Sequence, residues 1–129
     1  MSLQVTQTSS RVLVADDDPV IRHLVCSTIA KEGYEVTEVA DGREAYRILR
    51  ADANFKAAIF DMKMPFLQGL EIIKYMRTEK RLMRIPAMMI TSEQDLRLMT
   101  ECFSAGATVF LSKPFTVEKL QMTLHMLLD

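Results

Sequence analysis

Short apolar runs alternate with stretches of helical periodicity along most of the chain. The runs predict strands at 11–15, 34–40, 57–60, 86–90 and 108–111. The first run is almost wholly apolar from its second residue onward, as is typical of a strand that is covered on both faces. Strands that alternate with helices build βαβ units, and the pattern therefore predicts an α/β domain with a parallel sheet.

Helices are predicted in each interval between these strands and after the last one. The first has Asp18 as its N-cap and Pro19 in its first position, and it ends at Gly33. Apolar spacing predicts that its buried stripe consists of Ile21, Leu24, Val25, Thr28 and Ile29. The later helices are predicted to begin after Asp41-Gly42, to span 70–81 and 93–105, and to run from a Thr116 cap through Leu128.

Polar residues suited to phosphoryl transfer follow four of the predicted strands. Asp16 and Asp17 follow the first strand, Asp61 the third, Thr91 the fourth and Lys113 the fifth. The carboxyl ends of parallel strands meet at one edge of a sheet, where open α/β sheets bind ligands. The sequence therefore predicts that three carboxylates, a hydroxyl and an ammonium group lie at a single site.

The adjacent carboxylates of Asp16 and Asp17 repel each other unless a cation neutralises them. Mg²⁺, or Mn²⁺ in its place, suits a site of few carboxylates that is completed by waters and phosphate oxygens. Asp61 adds a third carboxylate, which favours a metal site over helix capping as the reason for the acidic pair. Capping needs neither residue of the pair, because Asp18 already occupies that position.

Asp61 is the candidate nucleophile, since a carboxylate at a strand end can attack phosphorus and form an acyl phosphate. The phosphoryl oxygens then need hydrogen-bond donors, which Thr91 and Lys113 offer. Taken singly, Thr91 also fits a neighbour of a helix cap, and Lys113 also fits a solvated surface charge. The Lys113-Pro114 bond can be cis, and such a turn would aim the ammonium group inward.

Composition narrows the functional classes further. The formal net charge is −1, so no electrostatic footprint indicates direct binding of nucleic acid or of an anionic membrane. No apolar stretch is long enough for a membrane span, and a cytoplasmic location is the default expectation.

Cys26 and Cys102 fit no metal-ligand spacing and are expected to be buried, reduced thiols. Residues 1–10 are polar and aperiodic, and they are expected to form a disordered tail.

Four motifs occur in the order Val-Ala-Asp-Asp-Asp-Pro-Val-Ile-Arg at 14–22, Asp-Met-Lys-Met-Pro at 61–65, Ile-Thr-Ser at 90–92 and Ser-Lys-Pro-Phe at 112–115. In order and spacing they resemble the CheY-like receiver domains of response regulators in two-component signalling. The resemblance covers residues 11–128 and implies a receiver domain over 11–129. It also implies a flavodoxin-like, three-layer α/β sandwich with five helices, whose five parallel strands have the order 2-1-3-4-5.

The resemblance assigns roles to the acidic residues at the strand ends. Asp61 would be the phosphoacceptor, and a histidine kinase or a phosphotransfer protein would supply the phosphoryl group. Asp17, Asp61 and the backbone carbonyl of Lys63 would ligate Mg²⁺ directly. Asp16 would act on the metal mainly through water.

The same resemblance links the site to an output face. Thr91 would hydrogen-bond the phosphoryl group, Lys113 would pair with it, and Phe110 would turn inward as an aromatic switch. The output face would comprise the fourth helix, the fifth strand and the fifth helix, and it would bind an output domain or a partner protein. Met122 and Met126 would dock such a partner if they lie on the outer side, and would otherwise fill gaps in the core. Taken alone, Phe110 fits an ordinary core aromatic equally well.

Two departures from the family pattern concern rate and assembly. Lys63 and Glu93 occupy positions that overlook the path of attacking water. We hypothesise that they form a partly exposed pair that slows hydrolysis of the acyl phosphate. The segment 106–110 lacks the acidic residue that is usual before the last strand of DNA-binding regulators with winged-helix outputs. This difference favours a monomer or a weak dimer.

Other functions fit parts of the sequence. Asp16-Asp17-Asp18-Pro19-Val20 also matches the Asp-x-Asp-x-Val pattern of haloacid-dehalogenase phosphatases, in which the first aspartate is the nucleophile. That alternative leaves Asp61 without a role and lacks the further acidic pair expected after Lys113. A degenerate receiver that serves only as an interaction module is the other alternative. As a receiver, the chain would not be an enzyme beyond catalysing its own phosphorylation and slow dephosphorylation.

Overall fold

The computed structural model describes residues 10–92 and 96–129 of the chain. Strands and helices alternate throughout these ranges. The strands are β1 (Arg11–Ala15), β2 (Glu35–Val39), β3 (Ala57–Asp61), β4 (Ala87–Thr91) and β5 (Val109–Ser112). The helices are α1 (Pro19–Lys31), α2 (Gly42–Ala51), α3 (Gly69–Thr78), α4 (Leu96–Ala105) and α5 (Val117–Leu128). Apart from Ser10, the predicted tail lies outside the described residues, and so do the first residues of the fourth predicted helix.

The five strands form one parallel sheet in the order β2-β1-β3-β4-β5. This confirms the predicted flavodoxin-like architecture. The register pairs Ala15 with Phe60 and Thr91 with Ser112. Because the strands end at nearly the same level, the residues that follow them emerge at a common edge.

The core lies on both faces of the sheet. Alternate residues of the central strands face opposite sides, since side chains of a strand alternate in direction. Phe60 packs in the cluster that contains the buried residues of α2 and α3, whereas Ile59 packs in the cluster that contains those of α1 and α5. Both strands that flank β3 are almost completely buried as well. This explains why β1, β3 and β4 consist almost wholly of apolar residues.

Two predicted details of the helices differ from the structure. Ile21 and Leu24 of the predicted α1 stripe are only partly buried, and Cys26 is buried beside the remaining members. Helix α3 ends at Thr78 rather than at residue 81, because Glu79 has an extended backbone. The chain then forms a separate turn in which the Leu82 N–H bonds to the Glu79 carbonyl, and this turn places Leu82 in the core.

Other expectations from the sequence hold. Asp18 and Thr116 cap α1 and α5 through their side chains. Cys26 and Cys102 are buried free thiols. Among the described residues, no helix is long and apolar enough to cross a membrane.

Arg77 lies at the amino edge of the sheet, opposite the acidic strand ends. It joins α3 to the loop before β4 and to the end of α4. Its guanidinium group donates to the carbonyl of Gly106 from Nη2 at 2.8 Å, and to the carbonyls of Ile85 and Met83 from Nη1 at 2.9 and 3.1 Å. Gly106 has φ of 114°, and a Cβ there would lie 2.6 Å from Cγ of Arg77. Glycine is therefore needed where α4 ends, and Arg77 fixes that end to the loop before β4.

Replacement of Arg77 by methionine tests this link. The variant keeps the aliphatic stem but leaves the carbonyls without their charged donor. We expect the free energy of unfolding to fall by about 3 kcal/mol, since hydrogen bonds to charged groups contribute roughly 1.5–3 kcal/mol. Denaturant titration measures the change. Lys74→Met, on an exposed position of the same helix, should stay within about 0.5 kcal/mol. Equal losses in the two variants would contradict the role of Arg77.

Candidate functional site

Three aspartates meet at the carboxyl edge of the sheet. Asp16 follows β1, Asp61 is the last residue of β3, and both are buried, with exposed fractions of 2% and 6%. Asp17 is exposed beside them. One carboxylate oxygen from each of the three residues lies within 4.8 Å of the others. The predicted convergence of these carboxylates is therefore present in the structure.

The acidic loop between β1 and α1 is shaped by its own hydrogen bonds. Asp18 Oδ1 accepts from the Val20 N–H at 2.9 Å, which caps the helix. The Asp18 N–H in turn donates to Asp16 Oδ1 at 2.9 Å. Arg22, one turn into α1, donates from Nη1 to the Asp16 carbonyl at 2.7 Å. The Asp16 backbone and one of its carboxylate oxygens are thus held in place, and the other oxygen points elsewhere.

That second oxygen, Oδ2 of Asp16, is buried without a hydrogen-bond partner. The nearby cation, Nζ of Lys113, lies 3.8 Å away, which is too far for a hydrogen bond. A buried polar atom without a partner is costly and rare. Together with the oxygens of Asp17 and Asp61, it forms an all-oxygen set that suits a hard divalent cation such as Mg²⁺. The residues present therefore fit the predicted metal.

Lys113 is brought to the same edge from β5. Its Nζ lies 3.3 Å from Asp61 Oδ1, and its side chain is only 19% exposed. The Lys113 N–H bonds to the carbonyl of Thr91 at 2.7 Å, and the Lys113–Pro114 peptide is cis. The alternative that Lys113 is a solvated surface charge is therefore wrong. Thr91, at the end of β4, is 1% exposed.

The electrostatics of the site favour a bound cation. Burial and, to a smaller extent, the charge of Asp16 raise the pKa of the Asp61 carboxyl to about 7, although Lys113 opposes both effects. Burial also raises the pKa of Asp16. A cation at this position would favour the ionised form of Asp61, because an adjacent positive charge lowers a carboxyl pKa. The ionised form is the one that can act as a nucleophile.

Lys63 lies in the loop after Asp61, two positions beyond the end of β3. The Met62 N–H bonds to the Ile90 carbonyl at 2.8 Å, and the Gly69 N–H bonds to the Met62 carbonyl at 3.1 Å. Lys63 is exposed between these anchors. Its predicted partner, Glu93, lies outside the described residues, so their pairing stays a prediction.

Phe110 is the second residue of β5, the strand that leads to Lys113. It is half-buried, packs against the same core cluster as Phe60, and its ring centroid is 6.3 Å from that of Phe103. The structure thus places Phe110 between the core and the surface of α4. Its role as a switch stays a prediction.

Two residues that shape the site were not predicted from the sequence. Arg22 appeared only as the end of a motif, although an arginine one turn into a helix after an acidic loop is a usable signal. Gly69 is the other, because a Cβ there would lie 2.6 Å from the carbonyl oxygen of Asp61. That close approach depends on how α3 packs against β3, and local sequence does not reveal it.

Comparison with known proteins agrees with this geometry. A family model for the response regulator receiver domain matches residues 12–125. Chemotaxis protein CheY1 of Helicobacter pylori is 35% identical over 119 residues, which are 92% of this chain and 96% of that protein.

Solved structures are also similar to this chain. The chemotaxis response regulator CheY4 of Vibrio cholerae superposes with a TM-score of 0.85 at 37% identity, covering 94% of this chain and all of that one. The receiver domain of sensor histidine kinase PA1611 from Pseudomonas aeruginosa superposes with a TM-score of 0.81 at 28% identity, covering 93% and 98% of the two chains. That domain has a magnesium ion coordinated in its active-site cleft.

Substitution of Asp61 by asparagine tests whether the buried charge of Asp61 lowers the free energy of unfolding. Because the pKa of Asp61 is near 7 in the folded state and near 4 when unfolded, folding favours its protonated form. The stability of the metal-free protein should therefore fall as pH rises from about 4 to about 7. We expect Asp61→Asn to remove this loss, and to raise the free energy of unfolding at pH 8 by at least about 1 kcal/mol.

Urea titrations in the presence of a chelator at acidic and alkaline pH measure this difference. Asp129→Asn, at an exposed position far from the site, is the matched control and should show no such gain. A variant at Asp61 that is less stable than the parent at pH 8 would contradict the electrostatic account.

Proposed function

The chain belongs to the response regulator receiver domain family, and on that premise we propose that Asp61 accepts a phosphoryl group in a two-component phosphorelay. The donor would be a phosphohistidine of a histidine kinase or of a phosphotransfer protein. One observation carries the proposal: the buried carboxylate of Asp61 lies 3.3 Å from the Lys113 ammonium group and beside the Asp16 oxygen that has no hydrogen bond.

The chemistry would be an in-line displacement at phosphorus. A carboxylate oxygen of Asp61 forms the new O–P bond while the P–N bond to the donor imidazole breaks, and the imidazole keeps the electron pair and takes up a proton. Asp16, Asp17, Asp61 and the carbonyl of Lys63 would hold Mg²⁺ or Mn²⁺. The bound metal would neutralise charge that otherwise repels the donor. The receiver of PA1611, which coordinates magnesium in its cleft, supports this assignment.

Readout of the phosphoryl group would rest on Thr91 and Lys113. The Thr91 hydroxyl would donate to one phosphoryl oxygen, and the Lys113 ammonium group would pair with another. The added charge would stabilise the conformation in which both residues are drawn to the phosphate, and Phe110 would turn inward in that conformation. The chain would catalyse only its own phosphorylation and slow dephosphorylation, and is not otherwise proposed as an enzyme.

The output face would lie on α4, β5 and α5. A surface cavity of about 250 Å³ between these elements is lined by residues that include Phe103, Phe110, Met122 and Met126. The two methionines are 60% and 65% exposed, so they lie on the outer side of α5 rather than in the core. Flexible apolar side chains suit the docking of a partner. A partner protein or an output domain would bind here. We propose no direct contact with nucleic acid or membrane, a monomer or weak dimer, and a cytoplasmic location.

Phosphorylation by a small phosphodonor such as acetyl phosphate tests the assignment. In the presence of Mg²⁺ we expect stoichiometric labelling of the parent chain and none of Asp61→Asn, because Lys113 lies within hydrogen-bond distance of Asp61 and 3.8 Å from Asp16. Asp16→Asn is the discriminating variant. Labelling that survives in Asp61→Asn and is lost only in Asp16→Asn would favour the phosphatase alternative. Amide spectra that stay unchanged with Mg²⁺ and beryllofluoride would favour the interaction module.

The rate-tuning hypothesis is tested with Lys63→Ala. If Lys63 and Glu93 shield the acyl phosphate as an exposed pair, removal of the Lys63 side chain should speed hydrolysis about two- to fivefold. This change corresponds to roughly 0.5–1 kcal/mol in the activation free energy. Decay of the phosphorylated chain after removal of the donor gives the rate. Lys74→Ala, on the outside of α3, serves as the control. An unchanged or slower decay in Lys63→Ala would disprove the hypothesis.

A further inference from the structure

A second surface of interest lies on α2, α3 and the loop that joins β3 to α3. Three aromatic rings surround a surface cavity of about 380 Å³, which is within the size range of ligand pockets. Tyr46 and Tyr75 meet edge to face with ring centroids 4.7 Å apart. The residues that line the cavity, here called the α2–α3 face, are Arg43, Tyr46, Phe66, Leu67, Glu71 and Tyr75.

Phe66 is unusual in both conformation and exposure. Its φ is 72°, in the left-handed region that bulky residues rarely adopt. Its side chain is 68% exposed, so burial does not compensate for this conformation. The Arg43 guanidinium lies 4.0 Å from the centroid of the Phe66 ring and holds it over the cavity. An exposed ring kept in an unfavourable backbone conformation indicates a role other than stabilisation of the fold.

Positive charge is concentrated beside this cavity. Arg43, Arg47 and Arg50 follow one another at i, i+4 and i+7 along α2, and all three are exposed. None of them forms an ion pair among the described residues. Because the whole chain has a net charge of −1, this row of arginines is a local excess rather than part of a generally basic surface.

We propose that the α2–α3 face binds an acidic segment of a partner protein. An apolar side chain of the segment would enter the cavity between Phe66 and Tyr75, and flanking carboxylates would pair with the arginines of α2. Guanidinium groups bind carboxylates through paired hydrogen bonds, which gives such a contact both strength and direction. The basic residues form one short row on α2 rather than the broad basic footprint that a nucleic acid needs, which favours a peptide. This surface shares no lining residue with the cavity on α4, β5 and α5.

A synthetic peptide with one phenylalanine between two runs of glutamate is the probe. Titration of the full isotope-labelled chain with the peptide, followed by amide NMR, gives both the affinity and the location of binding. We expect saturable shifts confined to α2, the β3–α3 loop and the start of α3. A peptide with serine in place of phenylalanine, and one with glutamine in place of glutamate, should each bind at least about tenfold more weakly.

Variants of the chain separate the α2–α3 face from a general charge effect. Arg43→Glu combined with Arg47→Glu, and separately Phe66→Asn, should weaken peptide binding at least about tenfold. Asparagine tolerates the left-handed backbone at residue 66, so this variant should melt no lower than the parent. The matched controls are Lys31→Glu combined with Arg84→Glu, and Met122→Asn, all at exposed positions elsewhere. They should change the affinity less than twofold.

Several results would overturn the proposal. These are the absence of saturable shifts with the peptide, shifts located on α4, β5 and α5, and undiminished binding by the arginine or Phe66 variants. A short single-stranded RNA of equal charge is the competing probe. Tighter binding of that RNA than of the peptide at the same face would also overturn the proposal. None of these measurements requires Asp61 to be phosphorylated, so the outcome is independent of the proposed phosphoryl transfer.

Discussion

Negative charge buried at the carboxyl edge of the sheet is the constraint on which the rest of this structure depends. Asp16 and Asp61 are brought together by the register of β1 and β3, and burial raises the pKa of both. Lys113 offsets part of this charge from β5, but Oδ2 of Asp16 has no hydrogen-bond partner. The fold thus holds an unfavourable arrangement that a bound cation would relieve. That property suits a site whose state changes when a ligand arrives.

The connection from this site to the surface is short. Lys113 follows β5 directly, and Phe110 lies on the same strand beside the ring of Phe103 on α4. At the opposite edge of the sheet, Arg77 fixes the end of α4 through Gly106. In the proposed switch, the carboxyl end of α4 would therefore stay anchored. A local change of charge becomes a change of surface where it favours one of two arrangements of an element.

Much of the fold was predictable, because its determinants are local. Asp18 and Thr116 cap helices through bonds to residues only a few positions away. The apolar strands were also recognisable, since burial on both faces leaves little room for polar residues. The end of α3 was not predictable in the same way. Residues 79–81 continue a helical pattern, but packing of Leu82 in the core requires the chain to turn at Glu79.

The sequence by itself determined the order of the elements, the caps and the chemical types at the strand ends, because these depend on spacing and side-chain chemistry. Only the tertiary structure decided which of these groups interact. It placed Lys113 against Asp61 across 52 positions of sequence and left an oxygen of Asp16 without a hydrogen bond. It also set Phe66 over the cavity beside Arg43. Distances across strands and the burial of single atoms follow from how layers pack, and that packing involves residues far apart in the chain.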